Sequence, residues 1–360
     1  MKRSIRKILG KLVLSFSVYL LFLTGCWDKK ELDELAIISM VGIDYVPEKD
    51  MKIMYYQVLN PFSGISSIEP GGPQSPVYTY QIKASSFGEA RTLAYAWMSR
   101  DLFEAHTRMI ILSKSAAEHI LRDVVNYVES LPQARASVFV LIAEDPLMEV
   151  MNHFSLLERI PAEALFNRLR FLMDYSLYVN RHIELRDLSE RMLQDRVVVL
   201  PIIKLKPGRT ERVDEREPNI NASRDNFVIQ DGAVIKDFRM VGTLGGKDLV
   251  AYNVMNGAKG RHTSLVPLDG KQLTLTFQPI RFQREVELKN NKPVITIHLD
   301  FMLTALRAIE YLPKNYEEMV KLEQEFTRLA LKEQNRFYKT CIAKGWDVAG
   351  VRDTLRGHLP

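Results

Sequence analysis

Two hydrophobic periods divide the first part of the chain into predicted strands and helices. Alternating apolar positions rich in Val, Ile and Tyr predict strands at residues 36–45, 52–60, 77–84 and 106–113. Three- and four-residue spacing predicts helices from Ser86 to about residue 100 and from Ser115 to about residue 130. Each begins with a serine followed three residues later by a glutamate, Glu89 or Glu118, which is a capping box. The nearly continuous apolar run 135–144 predicts a strand at the centre of a sheet.

Turn-forming residues predict where the chain changes direction. Four prolines and three glycines make residues 61–76 a loop. Asp145 stands directly before a proline, so we expect its side chain to cap the helix that follows. The dipeptide Asp231-Gly232 is typical of a type I′ turn and predicts a hairpin within residues 227–235.

The second half adds two short helices, a β-rich region and one long helix. Helices are predicted at 161–178 and 185–194, and strands at 197–199, 239–244 and within 264–301, with turns at 269–270 and 290–293. The long helix runs from about residue 315 to residue 344 and ends at Gly345. Its apolar residues recur at helical spacing and form one stripe: Met319, Leu322, Phe326, Leu329, Phe337 and Cys341.

These elements predict an α+β protein in which helices pack on mixed sheets and a long amphipathic helix closes the chain, and the chain length suggests two or three domains. The charged segment 209–224 has almost no apolar residue and predicts a linker or exposed loop. The predicted parts are an N-terminal α/β domain at 26–208, a small β-rich middle domain at 225–263, and a C-terminal domain with hairpins and the long helix at 264–360.

The first 25 residues have the pattern of a secretion signal. Five basic residues and no acidic one precede an apolar run at 12–23, which is shorter than the ~20 residues that a spanning helix needs. An uncleaved membrane anchor is therefore the less favoured alternative. Leu23, Thr24 and Gly25 before Cys26 fit the lipobox of bacterial lipoproteins. This predicts cleavage before Cys26 and a lipid on its thiol, with acyl chains that hold the protein at a membrane.

Removal of the leader changes the charge balance of the chain. The full sequence has 49 basic and 44 acidic residues, and the leader contains five of the basic ones, so the mature chain has 44 of each. Nucleic-acid binding, which needs a basic surface, loses its support. Cys341 is the other cysteine of the chain, so no internal disulfide framework is expected. We interpret it as a small core residue.

Catalytic and metal-binding patterns are weak in this sequence. Residues 242–248 resemble a phosphate loop, but the spacing is one residue short and Asp248 replaces the hydroxyl that would reach magnesium. We interpret them as a glycine turn. None of the seven histidines is paired at the spacing of a zinc helix, and no Gly-x-Ser-x-Gly elbow occurs. Four acidic residues in helical stretches are interpreted as a solvated face: Glu158, Glu163, Asp174 and Asp187. No enzymatic activity, metal or cofactor is predicted.

Aromatic residues and a methionine give one unspecific indication of binding. They are concentrated in the first half of the chain: Tyr55, Tyr56, Tyr78, Tyr80, Tyr95, Trp97 and Met98. Core packing is the favoured explanation, and a surface that meets a partner is the alternative.

The stretch after the lipobox resembles a known family. Gly25-Cys26-Trp27-Asp28 with Glu31 and Leu32 precedes an apolar strand that ends with Gly42 and Asp44. This pattern resembles the Ger(x)C family, the lipoprotein C subunits of nutrient germinant receptors in endospore-forming bacteria. Residues 87–90, 200–201, 227–244 and 347–350 give supporting similarity. By this resemblance Cys26 matches the lipidated cysteine, and the opening motif comprises Trp27, Asp28, Glu31, Leu32, Gly42 and Asp44.

The resemblance implies a function without catalysis. The protein would be held by its lipid on the outer face of the spore inner membrane, beside an A subunit and a multi-spanning B subunit, and would support the germination response to small nutrients. An alternative is an envelope lipoprotein that itself binds a nutrient or a cell-wall fragment, and direct binding of a small molecule is left open. A hydrolase of the envelope is the least favoured class.

Overall fold

The computed structural model describes residues 34–61, 75–153, 158–181, 183–205, 227–268, 270–290, 292–305 and 315–352, and single residues at positions 11, 15, 31 and 313. Apart from positions 11 and 15, the predicted signal peptide lies outside these residues, as do most of loop 61–76 and linker 209–224.

A nine-stranded mixed sheet forms the centre of the protein. Its strands are Leu35–Val46 (β1), Met51–Leu59 (β2), Val77–Ala84 (β3), Asp101–Phe103 (β4), Met109–Ser113 (β5), Phe139–Ala143 (β6), Val198–Leu205 (β7), Phe227–Lys236 (β8) and Arg239–Gly245 (β9). The order is β3-β2-β1-β5-β6-β7-β8-β9, with β4 beside the start of β1. Strands β1, β5, β6 and β7 run parallel, so all four begin at the same edge of the sheet. As predicted, the apolar strand β6 is central and fully buried.

Helices cover both faces of this sheet. They are Phe87–Trp97 (α1), Lys114–His119 (α2), Leu121–Ser130 (α3), Leu147–Met151 (α4), Pro161–Tyr175 (α5), Leu185–Leu193 (α6), Gly246–Met255 (α7) and Tyr316–Ala343 (α8). Helices α1, α2, α3 and α6 bury their apolar faces on one side, whereas α4 and α5 pack on the other. Helix α7 and the end of α8 cover strands β7 to β9. The predicted apolar face of α3 is buried, at Leu121, Val124, Val125 and Val128.

A second, three-stranded sheet lies beneath the long helix. Its antiparallel strands are His262–Leu268 (β10), Lys271–Lys289 (β11) and Lys292–Ala305 (β12), and Gly270 adopts φ 76° in the first turn. Leu322 and Phe326 of α8 pack on Val266 and Leu275. The α+β class, the mixed sheets and the long C-terminal helix are thus confirmed. Hydrogen bonds between β7 and β8 join the parts on either side of residues 206–226, and the division into domains stays a prediction.

The long helix follows its predicted bounds. Asn315 caps it through Oδ1, which accepts from the amide of Glu318 at 2.9 Å, and Gly345 ends it with φ 66°. Cys341 is fully buried, as predicted for a core residue, and burial raises the pKa of its thiol to about 11. The thiol is therefore protonated and unreactive at neutral pH. Met319 differs from the rest of the predicted stripe because it is exposed.

The predicted hairpin turn at Asp231-Gly232 is wrong. Strand β8 runs straight through both residues, and the turn lies at Asp237 and Phe238, which have φ values of 51° and 58°. Asp231 instead forms an ion pair with Lys204 at 2.7 Å. A Cβ atom on Gly232 would lie 2.3 Å from a methyl group of Val199. The glycine is needed for close packing rather than for a turn.

Two predicted helix caps are also wrong. The serine that caps α2 is Ser113, whose hydroxyl accepts from Ala116 N at 3.0 Å, because the helix begins directly after β5. The hydroxyl of Ser115 donates to Tyr45 O at 2.7 Å. The carboxylate of Asp145 does not cap α4 but accepts from Leu205 N at 2.6 Å. In both places a contact with another strand replaces the local one.

The capping box of α1 is confirmed in part. Ser86 Oγ accepts from Glu89 N at 3.1 Å, as predicted. The Glu89 carboxylate accepts from the amide of Ser85 at 2.8 Å and from the Ser85 hydroxyl at 2.5 Å. The carboxylate thus also binds the residue before the cap.

Candidate functional site

The residues of the predicted anchor and opening motif fall into two groups. Leu23, Thr24, Gly25, Cys26, Trp27, Asp28 and Leu32 lie outside the described residues. Glu31 N donates to a carboxylate oxygen of Glu34 at 3.3 Å, and Glu31 O accepts from Glu34 N at 3.1 Å. Gly42 and Asp44 lie in β1. The described part of the motif therefore leads into, and belongs to, strand β1.

Gly42 allows helix α4 to pack closely on β1. A Cβ atom there would lie 3.1 Å from Leu147 Cδ2, 3.1 Å from Tyr55 Cβ and 3.2 Å from Met151 Sδ. These distances are tighter than ordinary van der Waals contact. The glycine of the motif thus has a packing role within the core.

Asp44 lies where β1 turns toward β2. Its carboxylate accepts from Tyr45 N at 2.8 Å. The Tyr45 hydroxyl donates to Asp50 at 3.1 Å, and Lys52 Nζ donates to the same carboxylate oxygen at 2.9 Å. The hydrogen bond from Lys52, followed by that from Tyr45, lowers the pKa of Asp50. These exposed contacts brace the turn and bring no reactive group together.

A buried ion pair is the strongest electrostatic feature of the first sheet. Arg91 of α1 donates to a carboxylate oxygen of Glu104 at 2.6 Å, and the Glu104 side chain is only 6% exposed. Partial burial alone would lower the pKa of the Arg91 guanidinium, but the hydrogen bond and charge of Glu104 raise it. Burial raises the pKa of Tyr56 and of Tyr127 beside the pair.

A small cavity lies beside this pair. An adjacent cavity of about 30 Å³ is lined by Glu104, Tyr56 and Tyr127 and has room for one water molecule. The pair was missed from the sequence because Arg91 and Glu104 lie on separate elements. The one signal of the pair in the sequence was Glu104 itself, a single charged residue within the otherwise apolar segment 102–105.

The phosphate-loop-like segment is a strand-to-helix turn, as interpreted from the sequence. Strand β9 ends at Gly245, and α7 begins at Gly246 with φ 50°. The Asp248 carboxylate accepts from the guanidinium of Arg336 on α8. This ion pair connects helix α7 with helix α8. Within the described residues, no group of three His, Cys, Asp or Glu side chains could hold a metal ion.

The aromatic cluster divides between core and surface. Tyr55, Tyr56 and Met98 are buried, in agreement with the favoured explanation. In contrast, Tyr78, Tyr95 and Trp97 are 48%, 43% and 58% exposed.

A groove between α7, the second sheet and α8 is a candidate binding site for a small molecule. Its volume is about 330 Å³. The rings of Phe277, Phe301 and Phe326 form its apolar floor, with centroids 5.3 to 5.8 Å apart. Lys247 and Gln334 supply polar atoms at its walls. This combination of an apolar floor and a few polar groups is typical of ligand pockets.

In the part of the chain that the structure describes, no helix is both long enough and apolar enough to span a membrane.

Two family profiles cover most of the chain. Residues 28–205 match the spore germination protein N-terminal domain, and residues 230–360 match the family described as spore germination B3/GerAC like, C-terminal. The chain is 30% identical to spore germination protein KC of Bacillus subtilis (strain 168), over 99% of its own length and 89% of the relative. The chain therefore belongs to the GerAC family of spore germination proteins. This confirms the resemblance that the opening motif indicated.

Other spore germination proteins are also similar to this chain. The putative spore germination protein YfkR of Bacillus subtilis (strain 168) is 21% identical over 82% of this chain and 73% of the relative. Spore germination protein A3 of the same organism is 24% identical over 55% of this chain and 52% of the relative. The crystal structure of the GerBC protein matches with a TM-score of 0.47 and 14% identity, over 84% of this chain and 81% of that one. Family membership thus connects the chain with spore germination.

Proposed function

We propose that this protein is the lipid-anchored, noncatalytic C subunit of a nutrient germinant receptor, required for the response of the spore to small nutrients. The observation that carries the proposal is the similarity to spore germination protein KC along 99% of the chain. The lipobox at Leu23, Thr24, Gly25 and Cys26 supports the anchor, because cleavage there leaves a cysteine that can be acylated. Trp27, Asp28 and Leu32 would then link the lipid to β1.

The remaining parts of the proposal concern location and partners. The lipid would hold the protein on the outer face of the spore inner membrane, where an A subunit and a multi-spanning B subunit complete the receptor. The described residues support a noncatalytic role. Buried charges among these residues are paired, as in Arg91 with Glu104. The two acidic residues of α5, Glu163 and Asp174, each form an ion pair with an arginine. The division into three domains is part of the same proposal.

Replacement of Cys26 tests the anchor and the function together. In spores with Cys26→Ala, we expect loss of palmitate incorporation, loss of the mature N-terminus and loss of the nutrient response, because no thiol remains for the lipid. Metabolic labelling and the fall in spore optical density after nutrient addition are the measurements. The matched control is Cys341→Ala, which removes the buried thiol and should retain the label. A Cys26→Ala protein that still carries the label and germinates normally would contradict the proposal.

The groove above the three phenylalanine rings favours a second candidate, in which the protein itself binds a nutrient. The test uses residues 26–360 with Cys26→Ser, called the soluble variant below. Every strand and helix whose bounds are given above begins after residue 33, so this variant retains the described core. Saturable heat of binding with a nutrient, abolished by Ser264→Phe in the groove wall, would support it. Binding that survives Ser264→Phe would place the nutrient elsewhere.

A further inference from the structure

Three arginines from distant parts of the sequence meet in one pocket, which we call the arginine pocket. Its volume is about 270 Å³, and it is lined by Arg108, Arg135 and Arg170 together with His106. Phe166 and Glu184 also line it. The two anionic side chains nearby already have cationic partners. Glu184 accepts from Arg186 at 3.2 Å, and Glu163 accepts from Arg108 at 3.3 Å. These carboxylates offset Arg186 and Arg108, and Arg135 and Arg170 therefore give the pocket an excess of positive charge.

The arginines are held close to one another by the fold. The guanidinium carbon of Arg108 lies 4.9 Å from the centroid of the Phe166 ring, and that of Arg170 lies 5.8 Å from the same centroid. The backbone of Arg108 is fixed at the start of β5, since its amide donates to Ser39 O at 2.9 Å and its carbonyl accepts from Phe139 N at 3.1 Å. Like charges that share one ring repel each other, and an anion between them would relieve the repulsion.

The position of the pocket in the sheet indicates where this anion comes from. Arg108 precedes β5 and Arg135 precedes β6, so both lie at the edge where the parallel strands begin. Strand β1 begins at this same edge, at Leu35. Leu35 follows Cys26 by only nine positions, so a lipid on Cys26 stays within about 30 Å of Leu35. Under the proposed anchoring, this edge is the part of the protein nearest the membrane.

Exposed aromatic residues next to the pocket favour a lipid surface over a dissolved anion. Phe171, which follows Arg170 along α5, is 60% exposed, and Tyr175 one turn later is 55% exposed. Their rings stack with centroids 4.6 Å apart. Such a pair leaves a large apolar surface in water, and the boundary between headgroups and acyl chains suits aromatic rings.

We propose that the arginine pocket binds the phosphate of an anionic phospholipid, so that the strand-start edge of the sheet rests on the membrane surface. The shared chemistry is a phosphate oxyanion recognised by guanidinium groups, which can bind it through paired N–H donors. This inference rests on the proposed lipid anchor for its orientation. The inference extends the proposed function because it assigns a second membrane contact, in addition to the lipid, to residues of the central sheet and of α5.

Vesicle binding by the soluble variant tests the proposal without the lipid. We expect cosedimentation with vesicles of phosphatidylcholine mixed with phosphatidylglycerol, little with phosphatidylcholine alone, and release by high salt. Arg135→Gln with Arg170→Gln should weaken this binding roughly thirtyfold, since each of the two basic side chains near an anionic surface contributes about 1 kcal/mol. Phe171→Ala with Tyr175→Ala should weaken binding while the salt dependence is retained. The charge-matched control is Lys83→Gln with Arg239→Gln, at exposed positions elsewhere.

Three results would overturn the proposal. One is equal binding to both kinds of vesicle. Another is an arginine double variant that binds as the control does, with unchanged thermal unfolding. The third is calorimetric binding of inorganic phosphate that needs Arg135 and Arg170 without any binding to vesicles, which would assign the pocket to a free anion. Failure here would leave the lipid anchor intact, because palmitate labelling at Cys26 tests that separately.

Discussion

Gly260→Ala in the soluble variant is expected to lower the free energy of unfolding by about 3 kcal/mol. The chain before β10 crosses the end of α5 at this point with almost no space. An added Cβ atom would lie 2.1 Å from Ser176 O and 2.3 Å from Ser176 C, both of them backbone atoms. The crossing is fixed on both sides, since Leu177 N donates to Arg261 O at 3.1 Å and Arg261 N donates to Tyr175 O at 3.3 Å. Neither chain can move aside without loss of these bonds.

Urea unfolding followed by circular dichroism measures the effect. The matched control is Gly88→Ala, because a Cβ atom at Gly88 has no neighbour within 4 Å and the residue lies in α1. Alanine is the better helix former, so this control should be neutral or more stable by up to about 1 kcal/mol. An equal loss of unfolding free energy in both variants would mean that any replacement of glycine by alanine is destabilising here, and that the close crossing at Gly260 is not the cause.

Glu104→Leu is expected to cost about 3 kcal/mol, because it leaves the guanidinium of Arg91 largely buried without its carboxylate. The Arg91 side chain is 23% exposed, and its Nη2 donates to the hydroxyl of Tyr95 at 3.1 Å. Arg91→Met should cost as much or more, since Glu104 is the more deeply buried partner. The double variant should regain most of the loss, because two apolar side chains of similar size can fill the space.

A double-mutant cycle on these variants gives the coupling between the two side chains. The comparison pair is Asp174 and Arg181, which also lie 2.6 Å apart but are 57% and 64% exposed. Asp174→Ala should change stability by less than about 1 kcal/mol, as usual for exposed pairs. Additive losses at Arg91 and Glu104 would show that the two side chains have no coupling energy, which would contradict the prediction.

The sequence predicted the elements whose pattern is set by one buried face. Strands β1 and β3 and helix α8 lie within one residue of their predicted bounds, because alternation and helical spacing follow directly from which side meets the core. The turn at Asp231-Gly232 was wrong for the opposite reason. Its local preference was outweighed by the ion pair to Lys204 and the tight packing against Val199, which no local pattern records.

The candidate sites differ in the same way. The lipobox is contiguous, so its chemistry could be recognised in four residues ending at Cys26. The arginine pocket could not be predicted, because Arg108, Arg135 and Arg170 come together only when the parallel strands begin at one edge. The ion pair of Arg91 and Glu104 likewise depends on how α1 packs over the sheet.

The direction of β1 has a mechanical consequence for an anchored protein. Under the proposed anchoring, a pull on the lipid would act along β1 from its first residue, Leu35. Hydrogen bonds to β2 and β5 run across that direction, so the force would shear many of them together instead of opening them one by one. Strand β1, to which the lipid would be linked, is thus the strand best placed to resist being pulled out of the sheet. Tension from the membrane would then move the sheet as a whole.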